Sequence, residues 1–414
     1  MQIACLVILI SCLYLISCAQ PKSPEAWLQE NTSDLKTDSG YDFSAIKKAI
    51  GDKRIVALGE STHGSGTYYK LKSELVRYLH EEMGFEVLAM ESGLGDTYLA
   101  YSNIDSLSGI ELRDYSVFGN FRATEANVLF EHIKAASMSK TPLHYVGYDT
   151  QASSEYLYDM LSTILLDYDK ELSDSLSTRM RSYQRSYGYG SNGDSINYLK
   201  HRDIFVSTSN QVKEYLSKNE IKIISKHDLS QGDFDIMIRS LKMFSASYNM
   251  PFQDRYQGFA LRDTYMAENL EWLLSEMYPT KKFIVWAHNS HIENDHMEGA
   301  NIKWMGHYLK EKYEADYFSI GLFANAGEVY QYWTKSTIPI ENIDSTYIEH
   351  RIMTTEKHMP FLNLDGIKES SNTAWLFEPI NGNEIENGGT VRFTPKKRFD
   401  GVIVVAESKG PTYD

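Results

Sequence analysis

The 414-residue chain carries 56 Asp and Glu residues against 41 Lys and Arg residues, which gives a formal net charge of −15 at pH 7. Phosphate binding needs clustered cations, so this charge argues against a nucleic-acid partner and favours a neutral or cationic small molecule. The composition is ordinary for a folded globular protein and excludes general disorder. The length allows one large α/β domain with an insertion, or two domains.

The N-terminal forty residues predict export. Residues 3–16 form an apolar stretch of signal-peptide length, too short to cross a bilayer comfortably. This stretch ends in Leu15-Ile16-Ser17-Cys18, which resembles the bacterial lipobox. We therefore predict a lipoprotein signal peptide over residues 1–18, with Cys18 lipidated and the protein anchored to a membrane surface that faces the periplasm or the cell exterior. A plain secretory signal is the alternative. Residues 19–40 are predicted to be a tether.

All three cysteines fall inside this leader, at positions 5, 12 and 18. The sequence from residue 41 onwards therefore contains no thiol. This excludes disulfides, a cysteine nucleophile and thiolate metal sites from the predicted domain, residues 41–414.

Beyond the leader, short apolar runs alternate with helical periodicity. The strand Arg54–Leu58, the helix Ser65–Met83 and the strand Phe85–Met90 form a predicted βαβ unit, with the two strands parallel and adjacent. The pattern predicts an α/β fold with a mainly parallel central sheet flanked by helices. Further strands are predicted at Leu143–Val146, Phe283–Ala287, Tyr317–Phe323 and Gly401–Ala406, and further helices at Glu125–Lys140 and Phe259–Met277.

Between about residues 152 and 250 the apolar residues recur at helical spacing, with no convincing strand signal. We predict a helical insertion that covers the cleft. Its segment Gly188–Gly193 satisfies the G-x-G-x-x-G pattern, but no apolar strand precedes it. We therefore interpret this segment as a flexible loop and not as a dinucleotide site.

Four polar clusters each follow a predicted strand directly. In a parallel sheet the carboxyl ends of the strands share one edge, where ligands bind, so these clusters are expected to converge on one site. They are Gly59-Glu60-Ser61-Thr62-His63-Gly64, Glu91-Ser92-Gly93, Gly147-Tyr148-Asp149 and His288-Asn289-Ser290-His291.

The first two clusters hold the acids and the base of the predicted site. Glu60 is placed to fix the tautomer of His63, and an imidazole oriented by a carboxylate is a natural general base for water. Glu91 is expected beside His63, where it can orient water or receive a proton. In the alternative to this catalytic role, Glu91 forms an ion pair with a nearby Lys or Arg, such as Lys72.

The last cluster allows two kinds of chemistry. His288 and His291, with Glu60, His63 and Glu91, make a ligand set for zinc or another divalent ion. The same groups can instead polarise a carbonyl and stabilise an oxyanion without metal. On the preceding helix, Arg262 and Asp263 are either a structural ion pair or contacts to substrate oxygen atoms.

A serine nucleophile finds little support in the sequence. Neither Ser61 nor Ser290 lies in a G-x-S-x-G elbow. We therefore expect water to be the attacking group.

At these residues the chain resembles the erythromycin esterase family. The resemblance implies hydrolysis of an ester, in the founding members a macrolide lactone, with His63 activating water and Glu91 assisting. The chain departs from the family pattern in Ser65-Gly66-Thr67, where many members carry an acidic residue, and in Lys72, where Arg is frequent. The matching elements are Val56–Gly64, Gly84–Ser92, Val146–Asp149, Arg262-Asp263 with Met266–Asn269, Trp286–His291 and Phe399–Val405.

We thus predict an exported hydrolase of the erythromycin esterase type that cleaves a carboxylic ester or lactone and needs no cofactor. The alternatives are a divalent-metal hydrolase or peptidase using the same Glu and His residues, and a surface protein that binds without catalysis. The predicted catalytic residues are His63, Glu60, Glu91 and His288, and the predicted substrate-binding residues are His291, Arg262, Asp263, Lys72, Tyr148 and Asp149.

Overall fold

The computed structural model describes residues 23–191, 195–247, 255–295, 302–332, 334–341, 343–384 and 389–413. The predicted signal peptide and Cys18 lie outside these ranges. No helix within them combines the length and the apolarity that a membrane span requires.

An eight-stranded sheet forms the centre of the fold, and helices and two-stranded sheets lie around it. The strands are β1 (Thr32–Asp34), β2 (Lys36–Thr37), β3 (Gly40–Tyr41), β4 (Ile55–Leu58), β5 (Val87–Gly93), β6 (His144–Asp149), β7 (Phe283–Trp286), β8 (Tyr317–Ala324), β9 (Glu328–Gln331), β10 (Ser336–Pro339), β11 (Pro360–Asn363), β12 (Ile380–Glu384), β13 (Gly389–Phe393) and β14 (Gly401–Val405). The helices are α1 (Pro24–Asn31), α2 (Ser44–Ile50), α3 (Gly66–Met83), α4 (Leu94–Ser102), α5 (Gly109–Ser116), α6 (Asn127–Ser137), α7 (Tyr156–Leu166), α8 (Lys170–Ser191), α9 (Ser195–Lys218), α10 (Glu220–His227), α11 (Gln231–Ser247), α12 (Arg255–Trp272), α13 (Asn289–Ile292), α14 (Met305–Tyr313), α15 (Ile348–Met353) and α16 (Pro395–Arg398).

The strand order of the central sheet is β1-β11-β14-β8-β4-β7-β5-β6. The six strands from β14 to β6 are parallel, whereas β11 and β1 add antiparallel pairs at one edge. The predicted α/β fold class is confirmed. All residues of β4, β7 and β14 are buried, because helices cover both faces of the sheet.

Successive residues of each strand point to opposite faces and into two apolar clusters. Ile55 and Ala57 pack towards the face that carries α7, α11 and α12, whereas Val56 and Leu58 pack towards α3 and α6. This packing fixes the strands rigidly beneath the carboxyl edge of the sheet.

One predicted adjacency is wrong. Strand β7 lies between β4 and β5 and pairs with both, so the strand that carries Glu91 is not the neighbour of the strand that leads to His63. The connection through α3 passes over one strand position in the sheet. Strand β7, some two hundred residues later in the chain, occupies this position. The local βαβ pattern contains no information about this distant strand.

The predicted tether is also wrong over its described part. Residues 24–31 form α1, which places Leu28 in the core with 2% exposure, and β1 pairs antiparallel with β11. Ser23 caps α1 by accepting from the Ala26 amide, and Pro24 occupies the first turn, where no amide donor is needed. Pro24 therefore belongs to a helix and not to a tether.

Over its described residues, the region between β6 and α12 contains the five helices α7 to α11. The prediction of a loop over Gly188–Gly193 is wrong over residues 188–191, which complete α8. Glycine lowers helix propensity by about 1 kcal/mol but does not forbid a helix. The remainder of the G-x-G-x-x-G segment lies outside the described residues.

We expect Leu28→Ala to lower the free energy of unfolding by about 2–4 kcal/mol, because it removes a buried side chain from the core. Chemical denaturation of the chain from residue 19 onwards measures this value. The neighbouring exposed Gln29→Ala is the matched control. An unchanged midpoint for Leu28→Ala would show that α1 does not contribute to the domain.

Candidate functional site

The four polar clusters meet at one edge of the sheet, as the sequence predicts. The strands that carry them, β4, β7, β5 and β6, are consecutive neighbours and run in the same direction. Their carboxyl ends therefore place the side chains of Glu60, His288, Glu91 and Asp149 side by side.

Glu60 orients His63. The Nδ1 atom of His63 lies 2.7 Å from Oε1 of Glu60, which is fully buried. Because an ionised carboxylate can only accept, Nδ1 carries the proton, and Nε2 of the neutral ring has the lone pair. The His63 side chain is 19% exposed, so solvent reaches this base.

Lys72 holds Glu60 from the other side. Its Nζ atom donates to Oε2 of Glu60 at 2.8 Å and lies 4.1 Å from the centre of the Trp286 ring. Burial lowers the pKa of Lys72 to about 8, although Glu60 opposes this shift. Burial also acts to raise the pKa of Glu60, but Lys72 and His63 outweigh it and hold this pKa below its usual value. Lys72 is therefore not the cation that pairs with Glu91, although the alternative of an ion pair at Glu91 holds with another residue.

Glu91 is instead paired with Arg262. The Nη2 atom of Arg262 lies 3.1 Å from Oε1 of Glu91, and the same guanidinium bonds to both oxygens of Asp149. Burial opposes ionisation of Glu91, but His291, His63 and Arg262 together hold its pKa well below the usual range. Arg262 thus ties the end of β6 to the end of β5.

His291 lies between two carboxylates. Its Nδ1 donates to Asp263 at 2.8 Å, and its Nε2 lies 3.2 Å from Glu91. Burial alone would lower the pKa of His291, but these two carboxylates raise it to about 10. His291 is therefore a cation at neutral pH, and it is unsuited to accept a proton from water.

His288 has a different role from His291. Its backbone N–H donates to Oε2 of Glu91 at 2.9 Å, and its side chain caps α13 by accepting the Ser290 amide at Nδ1. The neutral ring therefore carries its proton on Nε2. The rings of His63 and His288 lie 5.3 Å apart, so one imidazole with a lone pair stands beside one with an N–H donor.

The cluster contains one more negative than positive charge when His63 and His288 are neutral. Each cation is within hydrogen-bond distance of at least one of the acids, so the excess is spread through a connected network. A proton taken up by His63 would bring the cluster to neutrality. The carboxylates are Glu60, Glu91, Asp149 and Asp263, and the cations are Lys72, Arg262 and His291.

Asn289 is a structural member of the site that the sequence reasoning missed. Its side-chain amide donates to the Leu322 carbonyl and accepts the Leu322 N–H, at 3.1 and 3.0 Å, while its own N–H donates to the Glu60 carbonyl. It thus joins the ends of β7, β8 and β4. A Cβ at Gly59 would lie 2.1 Å from its Oδ1, so glycine is required there. Its place between two histidines was the available signal.

Two aromatic residues that support His63 were also missed. Phe121 contacts the imidazole edge-on, with ring centres 5.0 Å apart, and the Tyr69 hydroxyl donates to the His63 carbonyl. Tyr69 lies on the buried face of α3, and Phe121 comes from the irregular segment before α6. Their spacing in sequence resembles that of ordinary core residues, so no local pattern identifies them.

Tyr148 does not join the predicted substrate contacts. Its side chain is fully buried in the core, and its hydroxyl donates to the Trp286 carbonyl at 2.9 Å. Tyr148 points to the opposite face of β6 from Gly147. Its hydrogen bond to Trp286 connects β6 with β7. Its neighbour Asp149 is part of the charged cluster.

The five residues considered as metal ligands are engaged with one another or with neighbouring cations. In the part of the chain that the structure describes, no group of three or more His, Cys, Asp and Glu side chains is arranged to hold a metal ion. Glu60 and Glu91 each face a buried basic side chain, Lys72 and Arg262 respectively.

A mainly parallel α/β sheet with imidazoles and carboxylates at its strand ends is typical of an enzyme. The erythromycin esterase family model matches residues 80–408, and the chain belongs to this family. It is a hydrolase of the esterase-like kind.

Three known proteins illustrate the relationship. A putative hydrolase of Bacillus subtilis, YbfO, is 27% identical over 388 residues, which cover 87% of this chain and 86% of that protein. Erythromycin esterase type II of Escherichia coli is 25% identical over 334 residues, 73% of this chain and 77% of that protein. The structure of a mutant of erythromycin esterase EreC in its open conformation shares the fold, with a TM-score of 0.66 at 17% identity over 92% of this chain and 98% of that one.

We expect the stability conferred by His291 to depend on pH. Because its pKa is about 10 in the folded chain and about 6.5 when unfolded, its contribution is complete below pH 6.5 and is lost as the pH rises through 10. The difference in unfolding free energy between the wild type and His291→Gln should therefore shrink from pH 6 to pH 10.

Chemical denaturation at several pH values measures this difference. His358→Gln is the control, since the His358 side chain is 82% exposed. A difference for His291→Gln that stays constant over the range would contradict the paired, cationic state.

Proposed function

We propose that this protein hydrolyses a carboxylic ester or lactone by attack of water that His63 activates. The observation that carries the proposal is the chain of contacts from Lys72 through Glu60 to Nδ1 of His63, at 2.8 and 2.7 Å. This chain leaves Nε2 as the basic nitrogen of a partly exposed ring. The arrangement is that of the carboxylate–histidine pair in a catalytic triad, with water instead of serine as the nucleophile.

The charge of the cluster supports this choice of base. When His63 takes a proton from water, the new imidazolium faces Glu60 and completes the charge balance of the network. His291 is already protonated, and so it cannot compete as the proton acceptor. Two histidines at one sheet edge therefore have separate tasks.

The charged cluster also supplies positive charge for the carbonyl oxygen. Arg262 and His291 are buried cations whose nearest nitrogens, Nη1 and Nε2, lie 3.3 Å apart, and His288 stands between His291 and His63. In the proposed reaction these groups hold the ester and stabilise the tetrahedral oxyanion. Fixed charges in a buried site stabilise such an anion strongly because they need no reorganisation.

The substrate class in this proposal is a small neutral or cationic ester or lactone. The net charge of −15 supports it, and so do the names of the relatives, one of which is called an erythromycin esterase. Macrolide lactones are one member of the class to test. In the same proposal the helices α7 to α11 cover the cleft and exclude bulk water.

The start of this helical region is bonded to Asp96. Its carboxylate, on α4, accepts the amides of Ser153, Ser154 and Leu157 at the start of the helical region. We further propose that the domain is exported and anchored through Cys18, which the lipobox resemblance supports.

Replacing the base should abolish turnover without unfolding the protein. For His63→Gln we expect kcat for the best ester of a screen to fall roughly 100- to 10,000-fold, the usual value of a general base. His358→Gln serves as the matched histidine control.

A His63→Gln enzyme with the parental rate would refute the assignment of the base, and bound ligand without any product in the wild type would favour a binding protein. Activity that disappears with EDTA and returns with a divalent ion would favour the metal hydrolase.

Replacing the orienting acid separates its electrostatic role from its structural one. Glu60→Gln keeps an acceptor for Nδ1 but leaves Lys72 buried without its counter-ion, so we expect both a loss of stability of about 3–5 kcal/mol and a loss of activity. The double variant Glu60→Gln, Lys72→Met should regain stability and remain inactive.

Unfolding midpoints and initial rates are measured on the same preparations. If activity returns together with stability in the double variant, Glu60 has only a structural role.

A further inference from the structure

Trp304 stands beside the candidate site, and the proposed mechanism does not use it. It directly precedes Met305, whose backbone N–H donates to Oδ1 of Asp263 at 2.9 Å. The same oxygen accepts Nδ1–H of His291. The indole lies edge-on to the His291 ring, with centres 6.3 Å apart, and only 7% of the residue is exposed. One carboxylate oxygen therefore positions both His291 and the segment that carries Trp304.

Two polar atoms at this place lack a hydrogen-bond partner. Nε1 of Trp304 is a buried donor, and Oδ2 of Asp263 is a buried acceptor, and neither bonds to any described residue. A buried polar group without a partner destabilises the fold, and a buried indole N–H usually finds an acceptor. A donor and an acceptor are thus both unsatisfied around the same histidine.

We propose that Trp304 and Asp263 form a subsite for a hydroxyl group of the substrate. The indole N–H donates to the hydroxyl oxygen, and the hydroxyl donates its own proton to Oδ2 of Asp263. A carbonyl or an ether oxygen would satisfy only Trp304, and an ammonium group would satisfy only Asp263. The subsite therefore selects hydroxylated esters or lactones, which deepens the proposed function and rests on it.

The subsite discriminates because a substrate without the hydroxyl leaves both atoms unpaired. A site built to bond a hydroxyl rejects the analogue that lacks it much more strongly than an apolar pocket rejects a missing methylene. The contact lies next to His291, so it would hold the hydroxyl near the ester carbonyl and influence the rate as well as the binding.

A comparison of substrates tests the subsite without any mutation. The probes are 4-nitrophenyl butyrate, its 2-hydroxy and 3-hydroxy derivatives, and the corresponding methoxy derivatives. We expect kcat/KM of the wild type to be at least about tenfold higher for one hydroxy ester than for both the plain and the methoxy ester. Equal values for all of them would overturn the proposal.

Trp304→Phe removes the N–H and keeps an aromatic ring. We expect the ratio of kcat/KM between the preferred hydroxy ester and the plain ester to fall roughly threefold to tenfold, the value of one hydrogen bond. Trp375→Phe is the matched control, because its indole nitrogen is also buried without a partner but lies outside the site. A ratio unchanged in Trp304→Phe would remove Trp304 from the subsite.

Failure of the proposed function gives a separate result. If the folded wild type hydrolyses none of these esters, a binding measurement tests the subsite instead. The unfolding temperature is measured with methyl 3-hydroxybutyrate and with methyl butyrate as ligands. Greater stabilisation by the hydroxy ester, lost in Trp304→Phe and kept in Trp375→Phe, supports the subsite. Equal stabilisation by the two ligands contradicts it.

Discussion

The candidate site depends on the pairing of each buried carboxylate with a buried cation. Glu60 is held ionised by Lys72, and Glu91 by Arg262 and His291, although burial opposes ionisation of both acids. Removing one partner would leave an uncompensated charge in the interior, which is far more costly than the pair itself contributes. The network therefore acts as a unit, and the state of His63 is set by acids at the strand ends together with cations from α3, α12 and α13.

Much of this arrangement can be predicted from the sequence. The apolar runs identify the strands β4 to β8, and the rule that strand ends share an edge brings Glu60, His63, Glu91 and Asp149 together. The pairing of charges cannot be predicted, because it depends on strand order. Strand β7 separates β4 from β5, and so Lys72 faces Glu60 while Arg262 faces Glu91.

Other features left no local signal. The strands β1 and β11 are three and four residues long, and the antiparallel pairing that stabilises them joins positions more than three hundred residues apart. Tyr69 and Phe121 act through tertiary contacts that neither periodicity nor charge reveals. Sequence reasoning based on titratable groups finds the charged members of the candidate site and overlooks the residues that hold them in place.

The insertion of β7 between β4 and β5 also constrains how the molecule can assemble during synthesis. Until residues 283–286 have left the ribosome, β4 and β5 each present an open edge of unpaired backbone groups where their common neighbour belongs. No N-terminal fragment that ends before this strand can complete the sheet or the cluster at its edge. The joining of β4 to β5 and the arrival of His288 and His291 are thus a single event.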